Sequence, residues 1–235
     1  MGFYFNRIYN PVYDFIVAQN TPYHRLQQAC IERLELADGD RLLCAGVGTG
    51  NEILRILETH PNVRITGVDL SATALKKAQR KASQKGKSIE TRLMDVQKLD
   101  FPPGSFDKTL CVHVTDFVPD SARASAEMLR VLRQGGRFAI TFPSGKEDIA
   151  FGMSVIGEAV REHWRNRRFH KILLVFLAAG LGTFVYLPFI FRKARREYAR
   201  KDVDTIFSPL TGGSHSVDEF PVYNDYIVSG GKQEH

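Results

Sequence analysis

The glycine loop Gly46-Val47-Gly48-Thr49-Gly50 constrains this chain more than any other feature. It follows a short apolar run, Arg41–Ala45, with the character of a buried strand. It precedes a helical pattern over Glu52–Thr59, which Pro61 closes. Glycine permits positive φ and a close approach of ligand to backbone. A helix opening there adds N–H donors and partial positive charge. The order strand, loop, helix is how an open α/β sheet begins its ligand crevice. The spacing is G-x-G-x-G, and no third glycine falls where a dinucleotide fingerprint needs one.

The same rhythm continues downstream. Val63–Val68, Ile89–Met94, Phe106–Val114 and Arg137–Phe142 read as further strands. Helices are expected over Ser71–Lys85 and Ser121–Arg133, with a turn at Gln134-Gly135-Gly136. Ser214–Tyr223 and Tyr226–Gly230 read as two last strands. Seven strands alternating with helices predict a doubly wound, mostly parallel α/β sheet. The expected parts are a helical cap over 1–36, a core over 37–143, an insertion over 144–203 and final strands over 204–235. The insertion falls between the fifth and sixth strands.

Two carboxylates join the loop at the carboxyl edge of the sheet. Asp69 ends the second strand, 23 residues after Gly46, where a carboxylate accepts from ribose hydroxyls. Asp95 ends the third strand and can accept from an exocyclic amine such as adenine N6. With these residues the chain resembles the class I S-adenosylmethionine (SAM)-dependent methyltransferases. The likeness rests on Cys44–Gly50, Val68-Asp69-Leu70-Ser71, Met94-Asp95-Val96, Leu99-Asp100-Phe101-Pro102 and Glu127–Leu132 before Gly135-Gly136. Tyr13-Asp14 and His24-Arg25 fit the branch that methylates quinones and related lipids.

The resemblance implies the Rossmann-like methyltransferase fold, SAM as cofactor and a transferase activity. It assigns Gly46, Gly48 and Gly50 to the methionine end of SAM, Asp69 and Leu70 to the ribose, and Asp95 with Val96 to the adenine. The chain departs from the pattern at Cys44, where the family usually has Asp or Glu helping to hold the methionine portion. Glu52, close by, is positioned to compensate. Gln134 replaces a usual proline of the turn before the fifth strand.

Methyl transfer from a sulfonium is an in-line displacement, so positioning supplies much of the rate. A ring carbon or phenol acceptor must also lose a proton. His113, Thr115 and Asp116 lie at the end of the fourth strand, beside the expected methyl. His113 is the expected base, histidine being the side chain suited to proton transfer near neutrality, with Asp116 as the second catalytic candidate. His24, Tyr4, Tyr9, Tyr13 and Tyr23 are expected to cover the site as a lid. No His/Asp/Glu cluster has metal-ligand spacing.

The net charge of +6 belongs to one segment. Residues 161–201 carry 11 Lys/Arg against 2 Asp/Glu, and the rest of the chain is slightly acidic. That distribution excludes a general nucleic-acid binder and points to one anionic contact. Inside the basic segment, Ile172–Phe191 is uncharged for twenty residues, long enough to cross a bilayer. Basic residues flank both ends: Arg161, Arg165, Arg167, Arg168 and Lys171 before it; Arg192, Lys193, Arg195, Arg196 and Arg200 after it. Both ends therefore look cytoplasmic. With Gly180, Gly182 and Pro188 as bends, the run is expected to dip into one leaflet. The expected partners are a membrane surface and a lipid-like or quinone substrate; the alternatives are a soluble small-molecule acceptor with the run as a closed lid, and a non-catalytic SAM-binding accessory protein at the membrane. The expected location is cytoplasmic, peripheral or monotopic at the inner face of the membrane. Three scattered cysteines and no basic-then-apolar leader agree with that compartment.

Overall fold

The structure, a computed structural model, describes residues 10–145, 149–190 and 197–233. Two helices come first, α1 (Asn10–Gln19) and α2 (Thr21–Arg33). The alternating part follows: β1 (Arg41–Ala45), α3 (Asn51–Thr59), β2 (Arg64–Asp69), α4 (Ala72–Gln84), β3 (Glu90–Leu93), β4 (Phe106–Cys111), α5 (Ser121–Val131) and β5 (Leu132–Pro143). Then come α6 (Ile149–Arg165), α7 (Phe169–Ile190), α8 (Arg200–Thr211), β6 (His215–Phe220) and β7 (Asp225–Gly231).

All seven strands form one sheet in the order β3-β2-β1-β4-β5-β7-β6. The first five are parallel. β7 runs antiparallel to β5, and β6 antiparallel to β7. The strand order reverses between β1 and β4, which fixes the crevice at the carboxyl ends of β1, β2 and β4. One face of the sheet packs on α2, α3 and α4 through Leu26, Ile53, Ile56 and Ala78. The other packs on α5 and α8 through Met128, Leu129, Val203 and Phe207.

Several boundaries differ from the sequence reading. β4 stops at Cys111, so His113, Thr115 and Asp116 stand in the loop beyond it. The turn expected at Gln134–Gly136 lies inside β5, as an irregularity. Leu132 pairs with Phe106, but Arg137 pairs with Lys108, so the residues between bulge out. Gly136 suits that bulge, because a Cβ there would come within 2.8 Å of the Asp107 carbonyl. The insertion folds as the helical pair α6 and α7. Beyond it, α8 straddles the expected boundary at 203/204. Gly212, in the left-handed region at φ 59°, ends α8.

The uncharged run is also different from expectation. α7 is one unbroken helix through Gly180, Gly182 and Pro188, the residues expected to bend it. Among the described residues, no helix is long and apolar enough to cross a membrane. Tyr4, Tyr9, Phe191, Arg192, Lys193, Arg195 and Arg196 lie outside the described residues.

Candidate active site at the carboxyl edge of the sheet

The glycine loop is built from three residues in the left-handed region: Gly46 (φ 71°), Gly48 (φ 53°) and Gly50 (φ 78°). They serve different ends. A Cβ on Gly46 would lie 2.2 Å from a Val114 methyl, and one on Gly50 would lie 2.8 Å from the Ala78 Cβ. Those two glycines let the loop pack. A Cβ on Gly48 would meet no protein atom within 4 Å. There only the left-handed φ favours glycine, and the space beside it is open. Gly50 also begins α3 with no side-chain cap, leaving amide donors of the first turn for a bound group.

Asp69 closes the loop from the next strand. Its Oδ2 accepts from the Gly48 amide at 2.9 Å and its Oδ1 from the Ser71 amide at 2.8 Å. Burial raises the Asp69 carboxyl above its ordinary value, with these amide bonds opposing the rise. The Leu70 amide also bears on it, and since a carboxylate offers about four acceptor positions, capacity for a ribose hydroxyl remains. Leu70 beside it is strongly exposed, an apolar surface at the mouth of the crevice. Asp95 lies just beyond β3, its Oδ1 accepting from the Gln97 amide at 2.8 Å, with Val96 buried next to it. These residues form one edge and fit an adenosine-bearing ligand. Asp69→Ala is expected to weaken SAM binding by roughly 1.5–3 kcal/mol, the range for lost hydrogen bonds to a charged group. Calorimetric titration measures this, and an unchanged affinity would remove the ribose assignment.

The amino-terminal helices cover the loop. Asp14 of α1 accepts from Thr49 Oγ1 at 2.5 Å and Lys81 Nζ at 2.7 Å. Burial alone would raise its carboxyl, but those hydrogen bonds and the lysine charge hold it below the usual range. α1 is thereby tied to the loop and to α4. From α2, Tyr23 reaches the site and His24 does not. His24 faces Arg55 and Lys171, and burial followed by the Arg55 charge pushes it down to about 4.

His113 is in a different setting. It carries φ 55°, a conformation that favours glycine, and its amide donates to Thr141 Oγ1 at 2.9 Å. Backbone strain of this kind persists only where the surroundings enforce it. Its Nε2 lies 2.6 Å from Asp225 Oδ2, and Asp225 is fully buried. The rings of Tyr23 and Tyr223 each stand 5.0 Å from the imidazole. Asn20 Nδ2 donates to the Tyr223 hydroxyl at 3.0 Å. The result is a histidine–carboxylate pair in an aromatic wall. Asp116 is buried beyond it, close enough for its charge to bear on the Cys111 thiol. Asp225, Tyr223 and Asn20 escaped the sequence reading. Asn224, left-handed at φ 47° in the turn ahead of β7, is the one local mark near Asp225. Among the described residues no three metal-ligating side chains cluster.

Residues 43–140 match the family model described as a methyltransferase domain. A phosphatidylethanolamine N-methyltransferase of Cereibacter sphaeroides is 39% identical over 106 residues, covering 44% of this chain and 51% of that protein. A demethylmenaquinone methyltransferase of Thermus thermophilus is 31% identical over 150 residues, covering 63% of this chain and 64% of that protein. The chain thus spans between half and two thirds of these relatives' lengths. Among solved structures, the magnesium protoporphyrin IX methyltransferase of Synechocystis with bound SAM shares the fold. Its TM-score is 0.61 at 14% identity, over 99% of this chain and 95% of that one.

Proposed function

We propose that this class I SAM-dependent methyltransferase domain, with relatives in the quinone and lipid branch, transfers a methyl group to a membrane-resident acceptor. The acceptor is a quinone-type ring or a lipid head group. The observation that carries this reading is the His113–Asp225 pair at the same sheet edge as the glycine cradle and Asp69. SAM supplies an electrophilic methyl on a sulfonium. The chain's own residues then have two tasks, to hold the acceptor in line and to take its proton.

Asp225 fixes the imidazole. With the proton on Nε2 facing the carboxylate, the basic lone pair is on Nδ1. A hydroxyl or ammonium proton of the acceptor passes to Nδ1, and Asp225 stabilises the imidazolium that results. Tyr23, Tyr223 and Phe151, whose ring lies 5.5 Å from that of Tyr223, supply the apolar aromatic wall that a ring or lipid acceptor needs.

The membrane part of the reading draws on α6 and α7. Phe169, Leu173, Phe176 and Leu177 are exposed along one side of α7, and Trp164 of α6 packs edge-on against Phe169 at 5.1 Å. Arg165, Arg167 and Arg168 are exposed beside them. A helix with an outward apolar stripe and basic neighbours lies in the plane of an anionic membrane surface rather than across it. The names of the two relatives point to the same kinds of acceptor. The test is to supply the purified chain and SAM with anionic vesicles carrying a membrane-lipid and quinol extract, or with an aqueous metabolite extract. S-adenosylhomocysteine and a product heavier by one methyl are expected from the vesicles, with the chain sedimenting alongside them at low salt. Turnover on the aqueous extract alone would overturn the acceptor class, and a chain left in the supernatant would overturn the surface contact.

A further inference from the structure

The amino-acid end of SAM carries an ammonium, and the residue two before the glycine loop is Cys44. Cys44 is buried, and burial, followed by the charges of Glu52 and Cys111, pushes its thiol far up. It stays neutral and cannot balance a cation. We propose that Glu52, on the first turn of α3, holds the ammonium of SAM in its place. The assignment rests on SAM being the donor and adds to that reading the residue that orients the methionine portion.

Three observations support it. Glu52 Oε1 accepts from Gln27 Nε2 at 2.8 Å and from the Tyr23 hydroxyl at 3.4 Å, both neutral donors. Among the described residues, no Lys, Arg or His nitrogen is within ion-pair distance of it. The nearby cations are engaged elsewhere: Lys81 with Asp14 and Asn51, Arg55 with Gln27. Glu52 is half-buried, and its loss of solvent raises the carboxyl above its ordinary value, with the neutral donors and the more distant Lys81 charge only opposing the rise. A bound ammonium offsets that loss.

The second observation is position. Tyr23 joins the two ends of the site, its hydroxyl on Glu52 and its ring 5.0 Å from that of His113. Glu52 therefore stands on the side of the cradle where the methyl is transferred, and Asp69 on the ribose side. The third is elimination among acids of the loop. Asp69 touches it at Gly48 and is held there by backbone amides, and Asp14 touches it at Thr49 and is already paired with Lys81 and Lys77.

Calorimetry with two ligands tests the assignment. SAM and 5′-methylthioadenosine share the adenosine, but only SAM carries the amino-acid portion. Glu52→Gln is expected to weaken SAM about 10- to 100-fold, the effect of losing a hydrogen-bonded charge pair, and to leave methylthioadenosine unchanged. Retained methylthioadenosine binding also reports that the cradle has folded. Wild-type affinity for SAM in the variant, or equal losses for both ligands, would overturn the assignment and leave the donor reading standing. On the unaltered chain, SAM is expected to bind at least about tenfold tighter than its deaminated analogue, and equal affinities would overturn it independently of any variant. Failure of the unaltered chain to bind either SAM or methylthioadenosine would sink the donor reading, and this assignment with it.

Discussion

Replacing His113 with glutamine is expected to lower kcat by about 10²- to 10⁴-fold, the usual contribution of a positioned general base. Glutamine keeps a polar side chain of similar reach but cannot take a proton. SAM affinity is expected to change little, because on this reading His113 meets the acceptor and not SAM. The acid limb of the pH–rate profile, which reports protonation of the base, should disappear. Asp225→Asn separates the pair's two parts. It retains a hydrogen-bond partner for Nε2 and removes the charge that stabilises the imidazolium. A smaller loss of kcat is expected, with the acid limb displaced rather than abolished. A His113→Gln chain that keeps both its rate and its acid limb would show that the imidazole is merely a wall of the site. The strained φ of 55° at His113 gives a reason to expect otherwise, since strain of this kind has to be enforced by surrounding structure.

The crevice was legible in the sequence because its parts lie at strand ends. Gly46, Gly48, Gly50, Asp69 and Asp95 each follow a recognisable strand, and the strand order sets where strand ends converge. Position along the chain was then nearly position in space. Asp225 was not legible for the opposite reason. It comes 112 residues after His113, and the two meet only because β7 inserts between β5 and β6, aligning Asp225 with Pro143. The one local mark, Asn224, signals a turn and not that meeting. Glu52 is intermediate. Its closeness to the loop could be read directly, but its partners Gln27 and Tyr23 come from α2, whose docking on α3 is a tertiary fact. The end of the uncharged run misled for a physical reason too. Gly180, Gly182 and Pro188 lower helix propensity, yet α7 remains helical through all three, packed between α1 and α6.

Helix α8 poses the clearest test of how the chain divides. Its first residues belong by composition to the basic segment, yet Phe207 is fully buried beneath the sheet. The Phe207 ring stacks on Phe138 of β5 at 5.5 Å and meets Phe142 edge-on at 5.7 Å. Truncating such a side chain removes its burial and leaves a cavity, so Phe207→Ala is expected to cost about 3–5 kcal/mol. Leu173→Ala, at an exposed site on α7, is expected to change stability by no more than about 0.5 kcal/mol. Urea unfolding monitored by tryptophan fluorescence and by circular dichroism gives both numbers. The contrast matters for function as well as for folding. α8 leads directly into β6 and β7, and β7 carries Asp225 into the site. A helix that anchors that hairpin belongs to the core that carries the site, whereas α6 reaches the site only through Phe151 against Tyr223. A Phe207→Ala chain with the wild-type midpoint would mean that the Phe138–Phe207 stack contributes nothing to holding α8 on the sheet.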